Sequence, residues 1–316
     1  MPEIKAYVPG IYARSEELAQ ATRDLDRGRT TEEAVERQRN ADVGSFLDAQ
    51  REAGLDYLSD GLLNWQDIFR PFDESTQGLR PGPLTRFLNT NTFFRAPAVE
   101  AESPSLEEPL GEPCFRVSDL PRGGWVATLP SPYALAVAAA GELDAKAVAE
   151  GVIGPQIRWL AENGCAMVVL RETELFGRSI DIYPLHDAIH ALESPLPLAL
   201  QLPFGDAGNV LGELVKIEVE AIGVDFYATE IAALPRPFPK MLLAGVIDAR
   251  NSLLEEPEAV AQFGRQLAEE VEGELHLVPN GDLQFVPERI AREKVLRLGA
   301  AARVLKDTAI EEGAAT

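Results

Sequence analysis

The feature that most constrains this chain is an alternation. Short runs rich in Val, Leu, Ile and Ala are followed, again and again, by longer stretches of helical period. Strand candidates begin near Ile4, Leu55, Trp125, Cys165, Leu196, Gly223, Met241 and Leu275. Several are continuous apolar runs, which is how a parallel strand buried on both faces reads. Eight strand–helix units in 316 residues predict an α/β fold, a (β/α)8 TIM barrel. A doubly wound open sheet is the alternative. No glycine-rich dinucleotide fingerprint follows the first strand, which counts against it.

Local signals set the helices. Thr30 or Thr31 caps a helix running to Ala53, with Glu32 and Glu33 in its first turn, where carboxylates suit the helix dipole. Val35, Val43, Phe46 and Leu47 form its apolar stripe, and Gly54 ends it. Further helices are expected over 144–163, interrupted by Gly151 and Gly154-Pro155, and over 206–221, 257–271 and 287–305. Residues 62–122 carry Pro71, Pro81, Pro83, Pro97, Pro104, Pro109, Pro113 and Pro121. They read as a long, irregular insertion after strand two, at the barrel mouth, with room for one extra strand over 91–99. The expected organisation is a single barrel over 1–307, including this insertion, and a flexible acidic tail over 308–316.

Composition removes other classes. Lys and Arg number 29 against 51 Asp and Glu, a formal charge of −22. Such a chain lacks the cationic surface that nucleic acid or an anionic membrane requires. The first ten residues have no signal-peptide pattern and no apolar run is long enough to span a bilayer, so a cytoplasmic protein is expected. Two Cys exclude a disulfide scaffold and any thiolate-rich metal site. His186 and His190 share a helix face but lack a third ligand, and no metal site is expected.

In a barrel, chemistry sits at the C-terminal ends of the strands. That selects Tyr12 and Arg14 after strand one, and Asp60, Asn64, Trp65 and Asp67 after strand two. Ser131 and Tyr133 follow strand three, and Arg171, Glu172 and Glu174 strand four. Gln201 ends strand five, Asp225 and Tyr227 strand six, Asp248, Arg250 and Asn251 strand seven, Asn280 and Asp282 strand eight. Carboxylates facing one apolar pocket make an acid/base couple. Asp and Asn at such places also serve as turn and cap residues. The aromatics Trp65, Phe69, Phe72, Phe87, Phe93 and Phe94 fit a platform for a flat ligand or a small core under the insertion.

Several ordered motifs carry a resemblance. They are Gly54–Gly61 followed by Asn64-Trp65-Gln66-Asp67 and Phe72; Asn89–Arg95 with Pro97; Leu129–Ala136; Gly245–Asp248 with Pro257 and Glu258; and Pro279–Leu283 with Pro287. Over Met1–Asp307 the chain resembles the catalytic barrel of cobalamin-independent methionine synthase, in its short single-barrel form. The resemblance implies transfer of a methyl group from a folate, or from methylcobamide, to the thiol of homocysteine activated by zinc. It places the zinc ligands near Gln201, Pro203, Tyr227 and Gly281, none of which is a zinc ligand by type. Acidic contacts to an amino-acid substrate fall at Leu62 and Arg171, beside Glu172. The expectation is therefore a methyltransferase with a folate or methylcobamide donor, a small acceptor and no zinc. Trp65, Asp67, Asn91, Arg95 and Tyr133 would keep the donor end. Arg171, Glu172, Gln201 and Tyr227 would rebuild the acceptor end, with Glu172 or Asp248 as base. A corrinoid protein is one expected partner. The alternatives are a metal-free lyase or decarboxylase, as in the related uroporphyrinogen decarboxylase barrel, and a non-catalytic protein that binds folate or a corrinoid protein.

Overall fold

The computed structural model describes residues 2–88, 90, 92–112, 114–176 and 182–314. Its strands are β1 Ile4–Ala6, β2 Thr76–Gln77, β3 Leu79–Arg86, β4 Phe93–Val99, β5 Ser105–Leu106, β6 Val126–Pro130, β7 Met167–Arg171, β8 Leu198–Gln201, β9 Ala221–Asp225, β10 Met241–Ile247 and β11 Leu275–Pro279. Its helices are α1 Glu16–Asp26, α2 Glu32–Ala53, α3 Arg70–Ser75, α4 Pro132–Ala138, α5 Ala145–Val148, α6 Gly154–Glu162, α7 Tyr183–His190, α8 Leu211–Leu214, α9 Pro257–Ala268 and α10 Glu288–Ala314.

Seven strands form one sheet in the order β1-β11-β10-β9-β8-β7-β6, and every pair in it is parallel. The eighth position, between β1 and β6, is filled by the segment 55–59. Asp56 N donates to Ala6 O on one side, and Leu58 N donates to Gly124 O while Val126 N donates to Leu58 O on the other. The Asp56 carboxylate also accepts from Ala6 N at 2.7 Å, taking a ladder position that a backbone carbonyl would otherwise hold. The second strand is thus present but irregular, and the curled sheet is a (β/α)8 barrel.

Side-chain alternation divides the interior in two. Tyr7, Val126, Met167, Val169, Ala199, Ala221, Leu243 and Val278 pack together inside the strands. A larger apolar layer lies between strands and helices. α2 has the expected boundaries: Thr31 Oγ1 accepts from Ala34 N, and Gly54 closes the helix at φ +68°.

Three segments differ from expectation. Residues 206–221 hold only the short helix α8, because Asp206 Oδ1 caps Gly208 N and Thr229 Oγ1 takes Ala207 N, which commits that stretch to turns. The insertion is less irregular than expected. β3 and β4 form an antiparallel hairpin, and its prolines are tolerated because this two-stranded sheet has only edge strands. Over 144–163 the structure agrees with expectation, the interruption being a π-helical turn at Ala149–Ile153 that joins α5 and α6. Gly151 there leaves room for Pro104 O, which would stand 2.1 Å from a Cβ. α10 continues beyond Asp307 into the stretch expected as tail. No helix among the described residues is long and apolar enough to cross a membrane.

Candidate active site at the barrel mouth

Strand direction brings Arg171 from the end of β7, Gln201 from β8, Asp225 from β9, and Asn280 and Asp282 from beyond β11 to the C-terminal mouth. Arg171 is 1% exposed. Its Nη2 donates to Asp282 Oδ1 at 2.7 Å and to Pro9 O at 3.4 Å, and its Nη1 donates to Gln201 Oε1. Gln201 Nε2 donates onward to Pro279 O, and Ile11 N donates to Asp282 Oδ1. The backbone is cut to fit. Gly10 has φ +90°, and a Cβ there would lie 2.0 Å from Asp282 Oδ1 and 2.3 Å from Arg171 Nη2. Arg171 Nε is buried with no partner among the described residues.

Asp225 is fully buried beside this group. Its Oδ1 accepts from Asn280 Nδ2 and Tyr227 N, and its Oδ2 has no partner among the described residues. Burial pushes its carboxyl above the usual range, against the pull of Asn280.

Glu172 is completely buried. Its Oε2 accepts from Ser131 Oγ and its Oε1 from Glu174 N. Ser131 is also the N-cap of α4, accepting from Ala134 N. Burial pushes the Glu172 carboxyl up to about 7, although the Ser131 and backbone bonds pull it down. Glu172 and the N-cap of α4 thus form one hydrogen-bonded unit.

The insertion supplies the rim. Asp67 Oδ1 accepts from Phe69 N and Arg70 N, which starts α3, and burial raises its carboxyl above the usual range. Asp67, Ile68, Phe87, Phe94, Asp282 and Phe285 border a cavity of about 30 Å³. Across Phe87 and Phe94 lies a larger recess of about 340 Å³, bordered also by Phe69, Arg86, Val137, Thr173 and Glu174. The aromatic cluster forms the small core expected under the insertion. Phe69, Phe72, Phe87, Phe94 and Trp65 are buried and touch edge to face or tilted, while Phe87 and Phe94 also wall the two cavities. Phe93 is 58% exposed and lines the smaller cavity.

The remaining expected residues are dispersed. Trp65 is buried under the insertion, and its Nε1 donates to Cys114 O. Asn64 Nδ2 approaches Cys114 Sγ at 4.0 Å. Arg95 is exposed and donates to Gly82 O. Tyr133 is half-buried on α4. Tyr227 is half-exposed, with its hydroxyl on Val246 O and Glu255 Oε1. Asp248 caps Arg250 N and lies 3.5 Å from Asn280 Nδ2. Asn91 lies outside the described residues. His276 sits inside the barrel, between Tyr7 Oη and Glu274, in a structural setting. His190 pairs with exposed Glu218.

The sequence reading did not single out Gly10, or Phe285 on the rim. The turn Pro9-Gly10 was the only available signal for the first. Nor did it single out Asp73, which follows Phe72 on α3. Asp73 is 2% exposed and neither carboxylate oxygen has a partner among the described residues.

The parallel barrel with buried, polar side chains at its C-terminal mouth defines an α/β protein of the TIM-barrel class, the end at which such folds carry their sites. Comparison with known proteins narrows the class. No family model matches the chain. It is similar over nearly its whole length to curated methionine synthases. It is 22% identical over 324 residues to that of Sulfurisphaera tokodaii, covering 99% of this chain and 96% of the relative. It is 23% identical over 320 residues to that of Sulfolobus acidocaldarius, covering 97% and 93%. Two solved structures share its fold. One is a B12-independent methionine synthase from Shewanella sp. W3-18-1 in complex with selenomethionine, with TM-score 0.74, 17% identity, and coverage of 97% of this chain and 99% of that one. The other is a putative vitamin-B12 independent methionine synthase from Listeria monocytogenes, with TM-score 0.70, 17% identity, and coverage of 94% and 96%. The chain is methionine-synthase-like along its length, and its fold is that of the B12-independent methionine synthases.

The donor set does not fit the zinc that the resemblance implies. Gln201 is spent on Arg171 and Pro279 O. Tyr227 points to Glu255, and Gly281 lies against the Phe204 ring. Among the described residues no group of three or more His, Cys, Asp or Glu is placed to hold a metal ion. Soft N/S ligation is what zinc needs.

Proposed function

We propose that the chain is a methyltransferase of the methionine-synthase type, moving a methyl group from a folate or corrinoid donor to a small acceptor that is not zinc-activated homocysteine. The observation that carries this reading is the mouth itself: two cavities on either side of the Phe87–Phe94 wall, the smaller bordered by Asp67 and the larger by Glu174, both with carboxyls raised by burial, and Glu172 bonded directly behind Glu174. Full-length similarity to methionine synthases supports it.

In this reading the phenyl rings hold the flat part of the donor. Glu172 is the base that takes the proton of the acceptor as its new bond to the methyl carbon forms. With a folate donor the nitrogen that loses the methyl group must gain a proton, and we assign that delivery to Asp67, which borders the smaller cavity; with a corrinoid donor the cobalt keeps the bonding pair and takes no proton. A base with a pKa near the working pH is the efficient one. Asp248 is the weaker candidate, since its carboxylate is turned into a cap for Arg250. Tyr133 and Arg95, which border neither cavity, carry no step in this reading, and Asn64 and Trp65 meet Cys114 under the insertion. Titration of the purified chain with 5-methyltetrahydrofolate and with methylcobamide tests the reading. Saturable binding of one donor supports it, and failure of both to bind at millimolar concentration overturns it.

A further inference from the structure

The axis of the barrel mouth holds a finished ion pair made by the chain itself. Arg171 and Asp282 are 1% and 3% exposed. Gln201 fixes the second arm of the guanidinium, and a Cβ at Gly223 would stand 2.6 Å from Gln201 Cγ, so that position too is cleared for this network. Nothing larger than hydrogen at Gly10 fits over the pair.

We propose that Arg171 is the resident cation of this barrel: clamped by Asp282 and Gln201 beneath Gly10, its guanidinium permanently fills the axial position, in place of a metal, and excludes an amino acid laid along the axis. A guanidinium with a carboxylate and an amide is a neutral, geometrically matched set. A buried pair of this kind resists opening, because removing either partner strands a charge away from water. Asp282 also borders the smaller mouth cavity. The pair is therefore the floor of the reactive cavity, and the acceptor is selected above it.

The inference borrows the methionine-synthase-type reading only to say what the axis would otherwise hold. Its test needs no methyl donor, so the two fail separately. The full chain is purified without chelator from zinc-supplemented medium, and its metal content is measured by plasma mass spectrometry. The expected result is zinc far below one ion per chain and a Tm unmoved by EDTA. Arg171→Met and Asp282→Asn each lower Tm, and the double variant loses much less than the two losses added. If Arg171→Met does not fold, Arg171→Lys replaces it in the same cycle, keeping the charge while losing one of the two arms. L-Selenomethionine, the ligand of the Shewanella protein, gives no saturable heat with the wild-type chain. Stoichiometric zinc whose removal lowers Tm overturns the proposal. Additive losses in the cycle, or saturable selenomethionine binding, do the same.

Discussion

Arg171 and Asp282, 111 residues apart in the chain, meet at 2.7 Å in the centre of the barrel mouth. The pair ties the end of the fourth barrel strand to the loop after the eighth and is roofed by the loop after the first. It sets the floor on which the mouth cavities stand and explains why glycine is required at position 10.

Replacing that glycine tests the close approach. Gly10→Ala forces a side chain into φ +90° and into contact with both members of the pair. The backbone strain alone costs about 1–3 kcal/mol. Urea denaturation should show a loss at or above that range, and a loss near zero would mean that the pair moves aside freely.

Glu172 makes stability depend on pH. Burial raises its carboxyl to about 7 in the folded chain, so its neutral form is favoured there. The contribution of that proton is complete below the unfolded value, near 4.3, and is lost as pH rises through about 7. Glu172→Gln should flatten that part of the Tm–pH curve and lower methyl transfer by about 10²–10⁴-fold, the usual worth of a positioned base. An unchanged curve removes the group from the account. Ser131→Ala removes the cap of α4 and should cost about 1 kcal/mol.

Asp73 behaves in the same sense at higher pH. It lies under the insertion near Asp67, Arg70 and Glu74, and burial first, then Asp67, pushes it up to about 8. The proton stabilises the fold below the unfolded value and is lost as pH passes about 8. Asp73→Asn should match wild type in Tm near pH 4 and gain on it progressively up to about pH 8, above which the gain is constant. A variant equally sensitive to alkali would contradict the assignment.

Lys294 on α10 is fully buried and pairs with Glu255 at 2.8 and 2.9 Å, while Glu255 also takes Asp248 N and the Tyr227 hydroxyl. Lys294→Met strands that carboxylate and should cost about 3–5 kcal/mol. A smaller cost for Tyr227→Phe is expected, since one half-exposed hydroxyl bond is lost, and thermal unfolding of both variants orders the two.

Much of this architecture was readable in advance where local and global forces agree. The runs around Val168–Leu170 and Leu242–Val246 are apolar on both faces, so only a parallel strand covered by helices suits them. Thr31, the stripe of α2 and Gly54 are local signals that tertiary packing did not override. The segment 55–59 was placed correctly, but its irregularity rests on the Asp56 carboxylate bonding a backbone 50 residues away. The hairpin β3–β4 was hidden because prolines lower strand propensity wherever an edge is not guaranteed. At the mouth, residue types at strand ends named Arg171, Glu172, Gln201 and Asp282. Their partners were not visible, since a 111-residue contact leaves no periodicity. For the same reason the bonds of Tyr227 to Glu255 and of Trp65 to Cys114 O were not visible.

The most direct test of the account is the binding of 5-methyltetrahydrofolate and methylcobamide, each titrated calorimetrically into chelator-treated chain. The account predicts saturable binding of one donor per chain without added metal, weakened at least tenfold by Asp67→Asn. Binding that appears only after zinc is added, or no binding of either donor, would contradict it.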